Sequence, residues 1–173
     1  MKKEKIVLGM SGGVDSSVAA VLLQNDGYDV YGVFMKNWDD KHAICSAEDD
    51  YVDALSVCRK LNIPLKKIDY TNQYKNKVFK QFLADHMHGL TPNPDILCNK
   101  EIKFEVFQNY AGKIGATKIA TGHYADKYDD NSICYLKKAV DLSKDQSYFL
   151  HQLGQSELKD TIFPLGQILK KDV

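Results

Sequence analysis

Short apolar runs alternate with longer amphipathic stretches along the chain. Four runs predict strands, because their β-branched and aromatic residues fit a buried pleated surface: KIVLG, YDVYGVFM, PLKKIDY and ATKIATG. Helical periodicity predicts helices in VDSSVAAVLLQNDG, AEDDYVDALSVCRKLN and NKVFKQFLADHM, and in a fourth segment after residue 98. Strands separated by helices predict one α/β domain over residues 1–173, with a doubly wound, mostly parallel sheet and helices on both faces.

The apolar spacing also predicts which side of each helix is buried. Beyond the fourth strand, two polar-apolar stretches flank a turn at residues 129–132, which predicts a small β-hairpin near residues 124–138. The predicted buried faces are Val52, Leu55, Cys58 and Leu61 in the second helix, Val78, Phe79, Phe82 and Leu83 in the third, and Phe104, Phe107, Ala111 and Ile114 in the fourth.

Composition narrows the class of protein. The chain is 44% hydrophobic and 27% charged, as expected for a globular domain, and its 23 Lys and Arg balance its 23 Asp and Glu. This neutrality gives no argument for a polyanionic partner, although a local basic patch can still act. The N-terminal apolar run is too short for a signal peptide and no run has membrane-spanning length, so we expect a cytoplasmic protein with no membrane partner. The scattered cysteines Cys45, Cys58, Cys98 and Cys134 lack zinc-ligand spacing, and we expect Cys58 and Cys134 to be structural thiols.

A glycine- and serine-rich loop, GMSGGVDSS, joins the first strand to the first helix over residues 9–17. Glycines permit close backbone approach and the free amides of a helix N-terminus favour an anion, so the loop predicts a phosphate site. It lacks the lysine of a Walker A loop and is not GxGxxG. Asp15 would face the polyphosphate through a divalent cation. Residues 34–38 and 122–123 follow other strands, and in such sheets ligands bind at the carboxyl ends of the strands.

A second segment, TPNPDILCNKEIKF at residues 91–104, places an acid and a thiol at a loop-to-helix junction. Pro92 and Pro94 restrict the backbone before the helix. Amide dipoles at a helix N-terminus stabilise a thiolate, so we expect a lowered pKa and a reactive Cys98. Asp95 has two interpretations, since it is placed either to transfer a proton or to cap the helix.

These motifs resemble a known family. SGGVDSS is similar to the signature of the PP-loop ATP pyrophosphatases, enzymes with an adenine nucleotide alpha hydrolase-like fold that cleave ATP between its α and β phosphates. TPNPDILCNKEIKF resembles a block of the tRNA-specific 2-thiouridylases, which replace the 2-oxygen of the wobble uridine with sulfur. VFMKNWDD, CSAEDD, ATGHYA, DLSKDQSYFL and FPLG resemble further blocks of that family in the same order, so that the resemblance covers essentially the whole chain.

The resemblance implies a set of functional residues. Cys98 and Asp95 would be catalytic, and the cofactors would be ATP and Mg²⁺. The partners would be the anticodon arm of tRNA and a sulfur donor or relay protein fed by a cysteine desulfurase, with no DNA. It also implies a disulfide bond and a bacterial cytoplasm. ATP would contact Gly9, Met10, Ser11, Gly12, Gly13, Val14, Asp15, Ser16, Met35 and Gly122, while the target base and tRNA would contact Asn93, Pro94, Asp95, His123, Lys144, Asp145 and Gln146.

The family also uses a second cysteine, which carries the sulfur as a persulfide beyond the FPxG block, and C-terminal domains that hold tRNA. The chain ends at Val173, so we expect an N-terminal catalytic portion that binds ATP and Mg²⁺ but does not complete thiolation alone. Two alternatives stay open at this point. One is an amidotransferase-type PP-loop synthetase, in which nitrogen attacks the adenylate, and the other is a non-catalytic nucleotide-binding module.

Overall fold

A computed structural model describes residues 3–38 and 47–173. The end of the VFMKNWDD block and the start of the CSAEDD block, with Cys45, lie outside this range. The α/β prediction is confirmed, because five strands form an all-parallel sheet in the order β3-β2-β1-β4-β7. A separate antiparallel pair consists of β5 and β6. The strands are β1 (Lys5–Met10), β2 (Asp29–Lys36), β3 (Leu65–Asp69), β4 (Lys118–Ala120), β5 (Ala125–Asp130), β6 (Ile133–Lys138) and β7 (Thr161–Ile162).

Helices cover both faces of the sheet. Two of them are continued by π-helical turns, at Lys75–Phe79 and Asn99–Lys103, and short 3₁₀ turns occur at Ser147–Phe149 and Lys170–Asp172. The α-helices are α1 (Val14–Asn25), α2 (Ala47–Lys60), α3 (Thr71–Tyr74), α4 (Lys80–Met87), α5 (Pro94–Cys98), α6 (Phe104–Ile114) and α7 (Gln155–Lys159).

Strand β1 is the centre of the fold. Its side chains alternate between the two faces of the sheet, as in any β-strand. Ile6, Leu8 and Met10 pack with α1 and α2, whereas Val7 packs on the opposite side with α6. All four side chains are buried, which explains why Ile6, Val7 and Leu8 are apolar in succession rather than alternating with polar residues.

Two of the predicted helical faces need correction. Val52 is 60% exposed, because α2 buries Ala54 and Cys58 with Tyr51 and Leu61 beside them. That stripe has spacings of three, four and three residues and follows the helical period, whereas the predicted spacing of three at every step drifts around the helix. Leu83 is also exposed. By contrast, the buried face predicted for α6 is confirmed.

The predicted hairpin is confirmed as β5 and β6. Asn131 and Ser132 connect the strands with φ of 46° and 71°, the left-handed conformation that a two-residue type I′ loop requires. Tyr128 and Tyr135 stack across the strands with ring centroids 5.0 Å apart. Helix α7 and strand β7 were not predicted, because each is too short to show a period.

None of the described helices is both long and apolar enough to cross a membrane.

The fold makes a testable prediction at Gly166. A Cβ atom there would collide with the backbone carbonyl of Ala125, which cannot move aside as a flexible side chain can. We expect Gly166→Ala to lower the free energy of unfolding by about 1–3 kcal/mol, the usual cost of overpacking. Gly112→Ala is the matched control, because Gly112 lies within α6 with open space around it and alanine there should stabilise by about 0.5–1 kcal/mol. Urea denaturation measures both, and equal stabilities of the two variants would contradict the packing described.

Candidate active site

A cleft of about 410 Å³ lies at the carboxyl ends of β1, β2 and β4. This is the edge of a parallel sheet at which ligands bind, and the volume is that of a small-molecule site. Residues from four separate sequence motifs meet there. Those predicted to contact ATP or tRNA that line the cleft are Gly9, Met10, Ser11, Asp15, Ser16, Met35, Gly122, His123 and Gln146.

Hydrogen bonds of serine hydroxyls fix the conformation of the loop between β1 and α1. The Ser11 amide donates to Ser16 Oγ at 3.2 Å, and Ser16 Oγ donates to the Gly13 carbonyl at 3.1 Å. Gly12 has φ of +84° and its α-carbon faces the backbone of Asp50. Gly13 caps α1 without any side-chain hydrogen bond, so the first amides of a twelve-residue helix remain available to an anion.

Gly122 keeps the cleft open for a nucleotide. A Cβ atom on Gly122 would lie 3.0 Å from the amide nitrogen of Ser16, in the space in front of the helix N-terminus. Thr121 beside it is buried, and Asn37 across the cleft has a buried Oδ1 with no hydrogen-bond partner in the described part of the chain. A free amide cradle and an orphaned acceptor fit a ligand that carries both phosphate and N–H or O–H groups. The residues present therefore fit ATP.

Asp15 occupies the first turn of α1, but its carboxylate is already engaged. Lys170 Nζ lies 2.5 Å from Asp15 Oδ1, and the Tyr124 hydroxyl donates to the same oxygen at 3.0 Å. Burial, followed by this carboxylate, raises the pKa of Tyr124. Within residues 3–38 and 47–173, no three His, Cys, Asp or Glu side chains form a metal-binding group. A cation at Asp15 therefore has to compete with Lys170.

The thiol does not have the electrostatics expected from the sequence. Asn93 caps α5 by accepting from the Asp95 amide at 3.0 Å, so Asp95 is not the cap and its carboxylate is exposed. Cys98 is the last residue of α5, beyond the free amides of the first turn, and is only 7% exposed. Burial raises the pKa of Cys98, with Lys103 opposing the shift. The prediction of a lowered thiol pKa was wrong, because burial favours the neutral thiol and Cys98 lies away from the helix N-terminus.

Two groups connect Cys98 to the cleft. Asn37, which lines the cleft, directs its Nδ2 to Cys98 Sγ at 3.8 Å. Lys103 is half-buried and lines the cleft from the second π turn. The sequence predicted no functional role for it, although it belongs to the NKEIKF part of the second motif. Burial lowers the pKa of Lys103, while Cys98 and Asp95 partly counter this. Alpha-helical spacing would not have placed Lys103 beside Cys98, so no pattern in the sequence indicated it.

His123 is neutral in this environment. Burial, followed by the charge on Lys103, lowers the pKa of His123 well below its ordinary value. Its Nδ1 lies 2.7 Å from Thr121 Oγ1, and this hydrogen bond holds the ring at the wall of the cleft. His123 therefore offers a neutral ring to a ligand rather than a charge.

The remaining predicted residues are dispersed. Lys144 is exposed, whereas Asp145 is turned into its own loop and accepts from the Ala139 amide at 2.9 Å and from Ser147 Oγ at 2.8 Å. Gln146 accepts from the Tyr124 amide at 3.0 Å at the edge of the cleft. Asn93 lines a second groove of about 570 Å³, outside the cleft. Pro94 begins α5, and Val14 is an exposed residue at the start of α1.

Comparison with known proteins identifies a family and close relatives. The family described as "tRNA methyl transferase HUP domain" matches residues 4–173. Proteins named tRNA-specific 2-thiouridylase MnmA are 50% identical in Streptococcus equi subsp. zooepidemicus, 52% in Nitrosomonas eutropha and 54% in Francisella tularensis. Each similarity covers 99–100% of this chain but 46–49% of the relative, so the chain spans about half the length of these curated relatives.

Solved structures support the fold. The U34-tRNA thiolase NcsA from Methanococcus maripaludis, solved with its [4Fe-4S] cluster, is similar over 98% of this chain and 53% of its own, with a TM-score of 0.60 and 19% identity. A predicted subunit of tRNA methyltransferase from Methanocaldococcus jannaschii is similar over 97% of this chain and 71% of its own, with a TM-score of 0.51 and 18% identity. At these identities the similarity concerns the architecture alone.

The environment of Cys98 predicts how the thiol responds to pH. Because burial favours the neutral thiol, alkylation of Cys98 by iodoacetamide should be slow at pH 7 and rise only above pH ~9, the range in which a thiol with a raised pKa ionises. Cys58, whose burial raises its pKa to about 11, provides a slower internal reference. Peptide mass spectrometry between pH 7 and 10 separates the sites, with circular dichroism confirming the fold. Half-maximal labelling of Cys98 below pH ~8 would support the helix-dipole interpretation instead.

Proposed function

The chain belongs to the family of the tRNA methyl transferase HUP domain, and from this membership we propose that it is the catalytic portion of a tRNA-specific 2-thiouridylase. Its reaction is the ATP-dependent replacement of the 2-oxygen of the wobble uridine in tRNA by sulfur. One observation carries the proposal: the glycine- and serine-rich loop lines a cleft, and the buried thiol of Cys98 lies next to that cleft, 3.8 Å from the Asn37 amide that lines it. The reaction belongs to the bacterial cytoplasm, where tRNA is found.

ATP is the energy source in this proposal. The first amides of α1, with Ser11 and Ser16, hold the phosphates, and Gly122 leaves room for the nucleotide in front of them. Met35 lines the cleft as an apolar surface for the adenosine. ATP supplies an adenylyl group for the uracil 2-oxygen and releases pyrophosphate. Asp15 is the residue that would hold Mg²⁺, in place of Lys170, and the metal would supply positive charge to the polyphosphate.

The target base reaches this cleft from the side of α5. Asn93, Pro94 and the exposed Asp95 form the first turn of that helix, and His123 and Gln146 form part of the cleft wall. A base that undergoes chemistry has to leave its stack, so the anticodon arm is the part of tRNA that binds. Lys144, which is exposed and lies two residues before Gln146, contributes a phosphate contact.

Sulfur transfer then proceeds with Cys98 as the thiol. A persulfide sulfur from the donor forms a bond to C2, the C2–O bond breaks, and AMP leaves with the electron pair. The resulting disulfide joins the transferred sulfur on C2 to the donor's own sulfur. Cys98 attacks the donor's own sulfur, so the transferred sulfur stays on C2 and Cys98 forms a disulfide with the donor thiol. Asp95, exposed and one turn before Cys98, is placed to accept the thiol proton. In this sequence Cys98 starts as a neutral thiol and is deprotonated only when needed.

Two other activities have different signatures. In an amidotransferase-type synthetase nitrogen attacks the adenylate, and Cys98 is irrelevant. A methyltransferase, the activity that the family description names, transfers a methyl group and does not need to release pyrophosphate from ATP. The position of Cys98 next to the phosphate cleft favours sulfur transfer over both.

The central experiment measures two products from one mixture. The chain is incubated with ATP, Mg²⁺, glutathione persulfide and an unmodified tRNA whose wobble nucleotide is uridine. We expect pyrophosphate release to rise at least about tenfold over the same tRNA with a wobble cytidine, because binding of the correct base completes the site. Mass spectrometry of the digested tRNA should detect 2-thiouridine, because the added persulfide supplies the sulfur that the chain alone is not expected to carry.

Matched thiol variants sharpen this result. Cys98→Ala should retain pyrophosphate release and lose 2-thiouridine, whereas Cys134→Ala, which removes another buried thiol, should lose neither. A methylated nucleoside, or ammonia-dependent AMP release without tRNA, would contradict the proposed activity. Pyrophosphate release that is identical with and without tRNA would do the same.

The Asp15–Lys170 ion pair gives a separate prediction about Mg²⁺. Lys170→Met removes the competitor for the carboxylate, so the Mg²⁺ concentration for half-maximal ATP binding should fall about threefold or more, as for loss of a modest ion pair. Lys171→Met, the exposed neighbour, is the control and should leave it unchanged. Equilibrium dialysis of labelled ATP over a Mg²⁺ series measures this. Identical Mg²⁺ dependence in the two variants would exclude Asp15 as a cation ligand.

A further inference from the structure

Lys103 has an unusual position for a lysine, and the cause is the second π turn. The Phe104 amide donates to the Asn99 carbonyl, an i to i+5 hydrogen bond. In an α-helix residues five apart point in directions roughly 140° apart. In the wider π turn the same interval leaves them only roughly 50° apart. The π turn therefore brings Lys103 to the side of the helix on which Cys98 lies.

The packing of α6 fixes where that side faces. Helix α6 runs antiparallel to β1, because Lys5 Nζ at the start of the strand donates to the Ile114 carbonyl at 3.0 Å. At the other end of the strand, a Cβ atom on Gly9 would lie only 2.6 Å from the Phe107 ring. Lys103 is one turn before Phe107 on the same helical face. It consequently lies just beyond the carboxyl end of β1, over the start of the phosphate loop.

The exposed Asp95 carboxylate favours the charge of Lys103 but does not pair with it. Among the residues that the structure describes, Lys103 makes no ion pair, and it is the one Lys or Arg among those lining the cleft. A half-buried ammonium without a carboxylate is costly to keep in a folded protein. The neighbouring His123 is neutral and the nearby Cys98 is a protonated thiol. Burial also lowers the pKa of Lys103, so an anion bound in the cleft that Lys103 lines would both pair with the ammonium and favour its charged form.

We propose that Lys103 is a catalytic residue that binds the α-phosphate of ATP and stays on that phosphate until AMP departs. The proposal rests on the function proposed above and adds a residue to it. The loop between β1 and α1 would hold the leaving pyrophosphate, and Lys103 would hold the phosphate that is retained. The two anion sites thus divide ATP at the bond that breaks.

Lys103 would act in both chemical steps without changing its protonation. In the first step the uracil 2-oxygen forms a bond to the α-phosphorus and the bond to pyrophosphate breaks, while the ammonium neutralises charge on the α-phosphate oxygens. In the second step the C2–O bond breaks, and the same ammonium stabilises AMP as it takes the electron pair. Because Cys98 is close to Lys103, the sulfur chemistry would take place next to the leaving group.

The test compares ligands that differ only in the phosphate. We expect Lys103→Met to weaken AMP binding by about tenfold or more, the usual effect of losing a charged hydrogen bond, and to leave adenosine binding within about twofold. Lys103→Arg should retain most of the AMP affinity. Lys100→Met is the matched control, because Lys100 is exposed, pairs with Glu101 and lies on the same π turn. Isothermal titration of the chain with AMP and with adenosine gives these values.

Rates provide the second measurement. With ATP, Mg²⁺ and the wobble-uridine tRNA, Lys103→Met should release pyrophosphate about 100-fold or more slowly than the unaltered chain, while Lys100→Met should match it within about twofold. Equal losses of AMP and adenosine affinity would assign Lys103 to packing and overturn the proposal, as would an unchanged AMP affinity. If Lys103→Met does not fold, Lys103→Gln is used under the same criteria. Absence of tRNA-dependent pyrophosphate release by the unaltered chain would refute the thiolation function instead, and AMP binding would still decide the role of Lys103.

Discussion

Contact between the Phe107 ring and the bare α-carbon of Gly9 is the constraint on which the rest of the site depends. Since no side chain separates them, α6 lies directly against the end of the central strand. That contact sets the height of the second π turn above the sheet, and therefore the distance of Cys98 and Lys103 from the phosphate loop. A larger residue at position 9 would separate the two halves of the cleft. The glycine is thus a packing requirement in the site, as well as part of a flexible loop.

Desolvation, more than charge pairing, determines the protonation of the site. Burial keeps Cys98 as a thiol, makes His123 neutral and raises the pKa of Tyr124. Charge is concentrated instead in the ammonium of Lys103 and in the Asp15–Lys170 pair. A cleft arranged in this way interacts most strongly with a ligand that brings its own negative charges. It also protects the thiol from reaction until a substrate is bound.

The sequence predicted the sheet, the hairpin and the position of the cleft, because these follow from apolar periodicity and from the chemistry of glycine-rich loops. It misplaced Val52 because a constant spacing of three residues drifts away from the helical period. It also assigned the wrong ionisation to Cys98, since the burial of a side chain depends on tertiary neighbours that no local motif records. The positions of Lys103 and Lys170 in the site could not be predicted for a related reason. One reaches the cleft through an irregular helix and the other from a segment 155 residues away from Asp15.

The π turn at Asn99–Lys103 has a consequence for how such sequences vary. A π turn arises when one residue is added to an α-helix without changing what precedes or follows it. The number of residues between Cys98 and Phe104, more than their identity, then decides whether Lys103 faces the cleft. Substitutions at exposed positions such as Lys100 are compatible with the geometry, whereas the loss of a single residue would return the segment to an α-helix and turn the lysine away. When a related chain is aligned with this one, the number of residues between Cys98 and Phe104 should therefore be compared before the residue identities are.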